Sequence, residues 1–350
     1  MGAFYPAHAD ALEKGLVADL TWFAGERDNG RTAELLQDSG SRWVRLSVGW
    51  RHFETAPGVY NPWWLEHYAS EFARARAAGQ RVLVMVTESP SWASGSAERY
   101  APPRDPADLA RFVGFLAERY GAQIDAYEIW NEPNISRFWT TGPDGSEYAA
   151  LLRASYPAIK RADPTADVVF AGPSTNDYAF VEEAYAAGVK GSFDVMGAHP
   201  YSCNSPRRIE RTANGRINRS SFLGYREIRA SMLANGDDKP MWFTEFGWST
   251  TTKACGVSAA VQAEYLADAY RLAREDPYVH VALWYALRNM YLDADADEVE
   301  AQFGLLNTDF TAKPAYGAFR DVVADSAPPA PAPTPPAPAP SPPAPAPSPP

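Results

Sequence analysis

Basic charge is scarce in this chain: 32 Lys and Arg stand against 43 Asp and Glu, a net charge of −11 over 350 residues. Such a balance disfavours nucleic acid and anionic membrane surfaces as partners. Cysteine is scarcer still. Only Cys203 and Cys255 occur, too few for a disulfide scaffold or a multi-Cys zinc site. The histidines other than His199 (His8, His52, His67 and His280) form no metal-spaced set, so no metal and no cofactor is expected. There is no run of about eighteen apolar residues, so no segment is expected to insert in a membrane. Met1 to Pro6 lacks a charged n-region and an apolar h-region, so no signal peptide is expected there; a mature form with an added Met reads the same way. A G-x-S-x-G elbow is missing, which argues against a serine hydrolase.

Hydrophobic residues make up 46% of the chain and aromatics 13%, ample for a large core, and α/β barrels often reach this length as one domain. Eleven Trp and eighteen Tyr serve mainly as core filling. The remainder suit sugar binding, because a pyranose face is apolar and lies flat on an aromatic ring.

Composition breaks near Ser326: residues 326–350 are only Ala, Pro, Ser and Thr. That stretch reads as a disordered, polyproline-like linker to a further module or a cell-wall attachment. Residues 1–325 alternate short apolar runs with amphipathic stretches. The expected strands are 15–19, 43–48, 81–86, 125–130, 167–171, 193–199, 240–245 and 279–286. The expected helices are 30–38, 63–78, 105–120, 146–162, 176–187, 221–234, 258–275 and 314–323, several followed by a capping Gly such as Gly79 and Gly121. Near-continuous apolar strands imply burial on both faces. Eight strands, each followed by a helix, predict an α/β fold, the (β/α)8 TIM barrel.

Function in such a barrel sits at the C-terminal strand ends. Arg45 and Trp50 come from the second strand, Trp92 follows the third, and Asn131 and Glu132 follow the fourth. His199 and Tyr201 end the sixth, Glu245 ends the seventh with Trp248 beyond it, and Trp284 lies on the eighth. A lone Glu after an apolar run is by default a solvated surface group. Two facing each other across a pocket suit glycosidic bond cleavage, one protonated to serve the leaving oxygen and the other ionised to attack the anomeric carbon. Glu128 has no part in that scheme and reads as half of a buried ion pair.

Trp130-Asn131-Glu132-Pro133 resembles the acid/base motif at the fourth strand of clan A glycoside hydrolases. Thr244-Glu245-Phe246-Gly247 resembles their nucleophile motif at the seventh. Trp43-Val44-Arg45-Leu46 and Gly197-Ala198-His199-Pro200-Tyr201 resemble the second- and sixth-strand regions. Phe303-Gly304-Leu305-Leu306 with Lys313-Pro314-Ala315 is similar to the closing segment of family 39 and its bacterial endoglycosidase relatives, with family 5 the second resemblance. The resemblance implies a retaining, double-displacement glycosidase with Glu132 as acid/base and Glu245 as nucleophile. It implies that Asn131 bonds the sugar 2-hydroxyl, Tyr201 orients Glu245, and His199 and Arg45 tune the charge. Trp284 is then the floor of the subsite at the cleaved bond, and Trp50, Trp92 and Trp248 are outer platforms. Several platforms favour endo action on a polysaccharide or glycoconjugate; exo action on short oligosaccharides and a non-catalytic carbohydrate-binding barrel are the alternatives.

Cys203 and Cys255 follow the sixth and seventh strands by a few residues, and neighbouring loops rise on one rim, so a disulfide between them is expected. It implies an oxidising compartment and, with the tail, a secreted or cell-envelope monomer. Asp293-Ala294-Asp295-Ala296-Asp297 imitates a calcium loop, but Glu298 and Gly304 stand where an EF-hand needs Gly and Glu.

Overall fold

Val44, Leu46 and Val48 share one face of the Trp43–Gly49 run, and Trp43 and Arg45 share the other, with all five buried. A strand apolar on both faces needs cover on both. The computed structural model, which describes residues 12–18, 26–290 and 298–322, supplies that cover as a barrel inside a ring of helices. His8, the 293–297 acidic run and the tail from 326 lie outside the described residues.

The barrel strands are β1 (Glu13–Val17), β2 (Trp43–Gly49), β3 (Arg81–Thr87), β4 (Ala126–Ile129), β5 (Asp167–Phe170), β6 (Val195–Ala198), β7 (Met241–Phe246) and β8 (Val279–Trp284). They pair in parallel in chain order, and β8 closes onto β1 with Trp284 opposite Leu16. Eight helices follow them: α1 (Glu26–Asp38), α2 (Pro62–Ala77), α3 (Pro106–Tyr120), α4 (Gly145–Ala162), α5 (Tyr178–Ala186), α6 (Tyr225–Ala234), α7 (Ala259–Arg274) and α8 (Pro314–Asp321). The expected (β/α)8 architecture is therefore present, with element ends moved by a few residues. The 221–234 stretch divides into a 3-10 turn, Phe222–Gly224, and α6.

Local chemistry sets the helix ends. Asn61 and Asp105 accept the backbone N–H groups of Trp63 and Ala107, and Pro62 and Pro106 occupy the first helical position, where a missing N–H costs nothing. Gly79 has φ +78° beyond α2, the left-handed stop expected of it. Gly121 does not behave that way. It stays right-handed at φ −49°, where a Cβ would lie 2.7 Å from the Ala117 carbonyl oxygen, so space rather than handedness requires glycine.

Two packed layers result. Trp43, Leu83, Ala126, Val169, Val195, Trp242, Val281 and Leu283 point inward and plug the barrel near its N-terminal end. The alternate residues pack outward against the helices. One step further along the strands the inward positions turn polar: Arg45, Glu128 and Thr244 replace the plug and form the base of the site.

Candidate active site

Glu132 stands in the loop after β4, and that loop is wound into an uncommon backbone. Trp130 has φ +78° and Glu132 φ +39°. Left-handed non-glycine residues cost about 1–3 kcal/mol each, so the surroundings must hold them. They do. Trp130 is fully buried, lies edge-on against Trp139 and donates its indole N–H to the Phe138 carbonyl at 2.5 Å. Asn134 takes the Ser174 N–H at 2.8 Å and gives its amide to Asp177 at 3.2 Å, tying this loop to the one after β5. Trp130 is thus packing.

Glu245 closes β7 at 9% exposure, and Glu132 is comparably buried at 8%. One oxygen from each carboxylate and one His199 nitrogen lie within 4.8 Å of one another. Arg45 binds three partners at once. Nε donates to Glu128 at 2.6 Å, one terminal nitrogen donates to Glu245, and the other donates to Asn131 Oδ1 at 3.0 Å. The Asn131 oxygen is thereby engaged by Arg45. Tyr201 donates its hydroxyl to the second oxygen of Glu245 at 2.9 Å. Fully buried His199 reaches Glu132 through Nδ1 at 2.9 Å and Thr244 Oγ1 through Nε2 at 3.0 Å. The ion pair expected of Glu128 is present, and Arg45 is its partner.

These contacts set the protonation pattern. Burial alone pushes the Glu245 carboxyl up, but His199, Arg45 and the Tyr201 hydroxyl outweigh it and hold the group below the ordinary carboxylate range. Burial and the nearby Glu245 keep Tyr201 a hydroxyl, well above the usual tyrosine range. Arg45 stays charged: burial opposes its charge, and Glu128 and Glu245 more than offset it. Glu132, His199 and Glu245 are spaced closely enough to bracket a cation. Both His199 nitrogens are already engaged, however, and the Arg45 guanidinium already occupies Glu245. That donor set fits a carboxylate pair better than a metal site.

A family model described as cellulase, glycosyl hydrolase family 5, matches residues 9–287. The chain belongs to glycosyl hydrolase family 5. Both families suggested by the motifs recur among similar solved structures. A family 39 glycoside hydrolase from Bacteroides cellulosilyticus superposes with a TM-score of 0.71 at 24% identity, over 89% of this chain and 63% of that one. A monomeric β-xylosidase from Caulobacter crescentus gives 0.64 at 19%, covering 88% of this chain and 67% of that one. A family 5 subfamily 18 enzyme from Bifidobacterium longum, solved as a single-residue variant in complex with a mannose-N-acetylglucosamine disaccharide, gives 0.67 at 14%, covering 88% and 77%. At these identities the likeness is one of fold. The chain spans under two thirds of the length of the Bacteroides protein. A search of curated sequences finds no match. Families 5 and 39 share clan A, whose members are retaining O-glycosyl hydrolases.

In this family 5 barrel the tryptophans do not all stand where the motifs suggest. Trp50 is fully buried, stacked on Phe112 at 5.7 Å, with its indole N–H on Glu54 at 2.6 Å. Trp248 is 1% exposed, packs against Phe222 and Tyr265 and donates to the Asn204 carbonyl. Both are core, not platforms. Trp92 is half-buried, edge-on to Trp50, and donates to the Glu54 carbonyl at 3.1 Å, so most of its ring belongs to the same cluster. Trp284 is also not the floor. Val281 and Leu283 point into the barrel, so the pleat sends Trp284 outward against Phe246 and Trp248.

Tyr285, one residue on, takes the place at the mouth. Its ring is half-buried, 6.5 Å from Tyr201 and 5.6 Å from Phe303. Burial and the charge of Glu245 both raise its hydroxyl above the usual range. The neighbouring Trp is the stronger sugar signal, so pattern alone passes over it; counting the alternation from Val281 finds it. Glu88, just past β3 at φ +65°, is a further rim carboxylate, 3.4 Å from His52 and 3.7 Å from Arg99. Arg137, after β4, meets Glu300, after β8, at 3.5 Å. Strands four and eight are diametrically opposed, so this pair crosses the mouth. Desolvation there raises the Glu300 carboxyl; Arg137 opposes the rise, and Glu245 and Glu132 add to it.

The expected disulfide is present. Cys203 and Cys255 are joined, 52 residues apart, and tie the loop after Tyr201 to the loop after Glu245. Chain-entropy reasoning puts the stabilisation from a loop of that size at about 4 kcal/mol.

Proposed function

We propose that the protein is a retaining glycosidase of polysaccharide or glycoconjugate, with Glu245 as nucleophile and Glu132 as acid/base. The observation that carries this reading is the unequal surroundings of two close carboxylates. Glu245 is held ionised by Arg45, His199 and Tyr201, whereas among the described residues the Glu132 carboxyl bonds to His199. Their oxygens, within 4.8 Å, suit the carboxyl spacing of about 5–5.5 Å used in retention rather than the ~6.5–9.5 Å of inversion. In the first step a Glu245 oxygen bonds to the anomeric carbon as the bond to the leaving oxygen breaks, and Glu132 gives that oxygen its proton. In the second, water attacks the same carbon, Glu132 takes the water proton, and Glu245 departs as carboxylate. The Asn131 amide holds the 2-hydroxyl, and Tyr285 lies under the ring.

Glu132→Ala tests the acid. Hydrolysis of substrates with poor leaving groups is expected to fall roughly 10²–10⁴-fold, while activated aryl glycosides keep a fast first step. Azide is expected to restore turnover as a glycosyl azide of retained configuration. Absence of both rescue and leaving-group dependence removes the assignment.

A second reading concerns the mode of attack. The case for endo action rests on outer platforms, and Trp50 and Trp248 are buried. The Arg137–Glu300 pair across the mouth favours a blunt pocket and chain-end attack. Early products on a polysaccharide are then one short sugar rather than a ladder, which mass analysis distinguishes. The disulfide supports secretion or a cell-envelope location, with the Pro-Ala tail from 326 as linker.

A further inference from the structure

Glu128, Thr244 and His199 form a line of hydrogen bonds ending on Glu132, and chemistry fixes the direction of its hydrogens. Glu128 accepts Arg45 Nε–H on one oxygen, and the Gly172 N–H at 3.1 Å and the Thr244 hydroxyl at 2.8 Å on the other. A carboxylate only accepts, so the single hydroxyl hydrogen of Thr244 is committed to Glu128. The Thr244 oxygen then offers His199 Nε2 only lone pairs across their 3.0 Å bond, and Nε2 must carry hydrogen. Nδ1 is left facing Glu132 at 2.9 Å, with one proton between them. The ring is closely packed: a Cβ on Gly172 would lie 2.3 Å from His199 Cδ2.

We propose that Thr244, oriented by Glu128, is a positioning residue that fixes His199 in its Nε2–H form and so keeps one transferable proton in the His199–Glu132 pair. The inference rests on Glu132 being the acid/base. That proton leaves with the departing oxygen in the first step and is replaced from water in the second. Without the Thr244 oxygen, a buried Nε2–H has no acceptor. A neutral ring then does better with its one hydrogen on Nδ1, donated to Glu132, and the pair holds one proton fewer.

The charged groups around the ring agree. Glu128 lies 3.9 Å from Nε2 and Glu245 3.8 Å from Nδ1, both favouring the charged ring. Arg45 opposes it, and Tyr201 stands edge-on at 6.2 Å. Burial lowers the ring's affinity for its second proton, yet Glu245 and Glu132 outweigh it and the net direction is upward. A group raised in this way keeps its proton at low pH and loses it as pH rises. Loss of Thr244 therefore moves the basic limb of activity toward acid.

The test is kcat/KM against pH for Thr244→Val, Thr244→Ser and Glu128→Gln, on an activated aryl glycoside and on an alkyl glycoside of the same sugar. For Thr244→Val the basic limb is expected to move down by about one unit or more. At neutral pH the alkyl substrate is expected to lose roughly tenfold or more, with little change on the activated one. Serine restores both. Glu128→Gln removes the carboxylate that commits the Thr244 hydrogen, together with the negative charge 3.9 Å from Nε2, and is expected to shift the limb the same way; it carries the test if the valine variant does not fold. A basic limb that superimposes on the parent, or equal losses on both substrates, overturns the proposal. Azide rescue of Glu132→Ala alongside an unshifted Thr244→Val limb sinks this inference alone; a Glu132→Ala variant with neither rescue nor leaving-group dependence sinks the acid/base assignment beneath it.

Discussion

Glu245→Ala is expected to remain folded and to lose activity by on the order of 10⁴-fold or more, the scale seen when a nucleophile is deleted. Unlike Glu132→Ala, it is expected to lose activity whatever the leaving group, because in the proposed mechanism bond formation to Glu245 precedes every product. Removing one methylene-carboxylate leaves a small cavity beside Arg45. Azide entering there attacks the anomeric carbon from the face Glu245 used, and the glycosyl azide appears with inverted configuration. Stability should not suffer greatly, because Arg45 keeps Glu128 and Asn131 as partners. An active Glu245→Ala enzyme, or an azide product of retained configuration, contradicts the assigned roles.

Arg45→Met is expected to be the most damaging single change to the fold. Arg45 is 2% exposed and separates two carboxylates, Glu128 at 0% and Glu245 at 9%. Methionine fills much of the volume but leaves both carboxylates in low dielectric without a cation. Breaking a buried pair in this way costs about 3–5 kcal/mol. Lysine is no substitute, since a single ammonium cannot reach three partners with the planar fork of a guanidinium. The pH dependence has a definite sign. Unpaired buried carboxyls bind protons more tightly in the folded state than in the unfolded one, so the deficit is smaller in acid and grows as pH rises. Urea unfolding at two pH values reads both effects. Arg45→Met/Glu128→Met should recover much of the loss, and a single variant as stable as the parent shows that Arg45 does not hold the carboxylates.

The barrel was legible because buried parallel strands leave apolar runs that little else in a sequence imitates, and a turn residue follows most of them. The carboxylates were legible because each closes such a run. The disulfide followed from the same rhythm, since two loops after adjacent strands rise side by side. Trp50, Trp248 and Trp284 misled for a physical reason. Residue type says that a ring suits a sugar, but the pleat and the local turn decide which way it points, and near a strand end one residue reverses the answer. Tyr285 was lost to that reversal. The partnerships of Thr244 and Glu128 had no local signal at all. They join β4 and β7 across the barrel axis, and only closure brings them together. The Arg137–Glu300 contact across the mouth is of the same kind.

Arg45 also bears on how such a protein ages in evolution. Its guanidinium serves two masters, Glu128 in the scaffold and Glu245, the proposed nucleophile. A descendant relieved of selection for turnover can discard Glu245 freely, because Arg45 remains paired. It cannot discard Arg45 or Glu128 singly without unfolding pressure. Decay is therefore expected in order: the proposed nucleophile goes first and the Arg–Glu pair persists. A barrel of this lineage that keeps Arg45 and Glu128 but lacks Glu245 is the signature of a retired enzyme, and this chain, with all three in place, does not carry it.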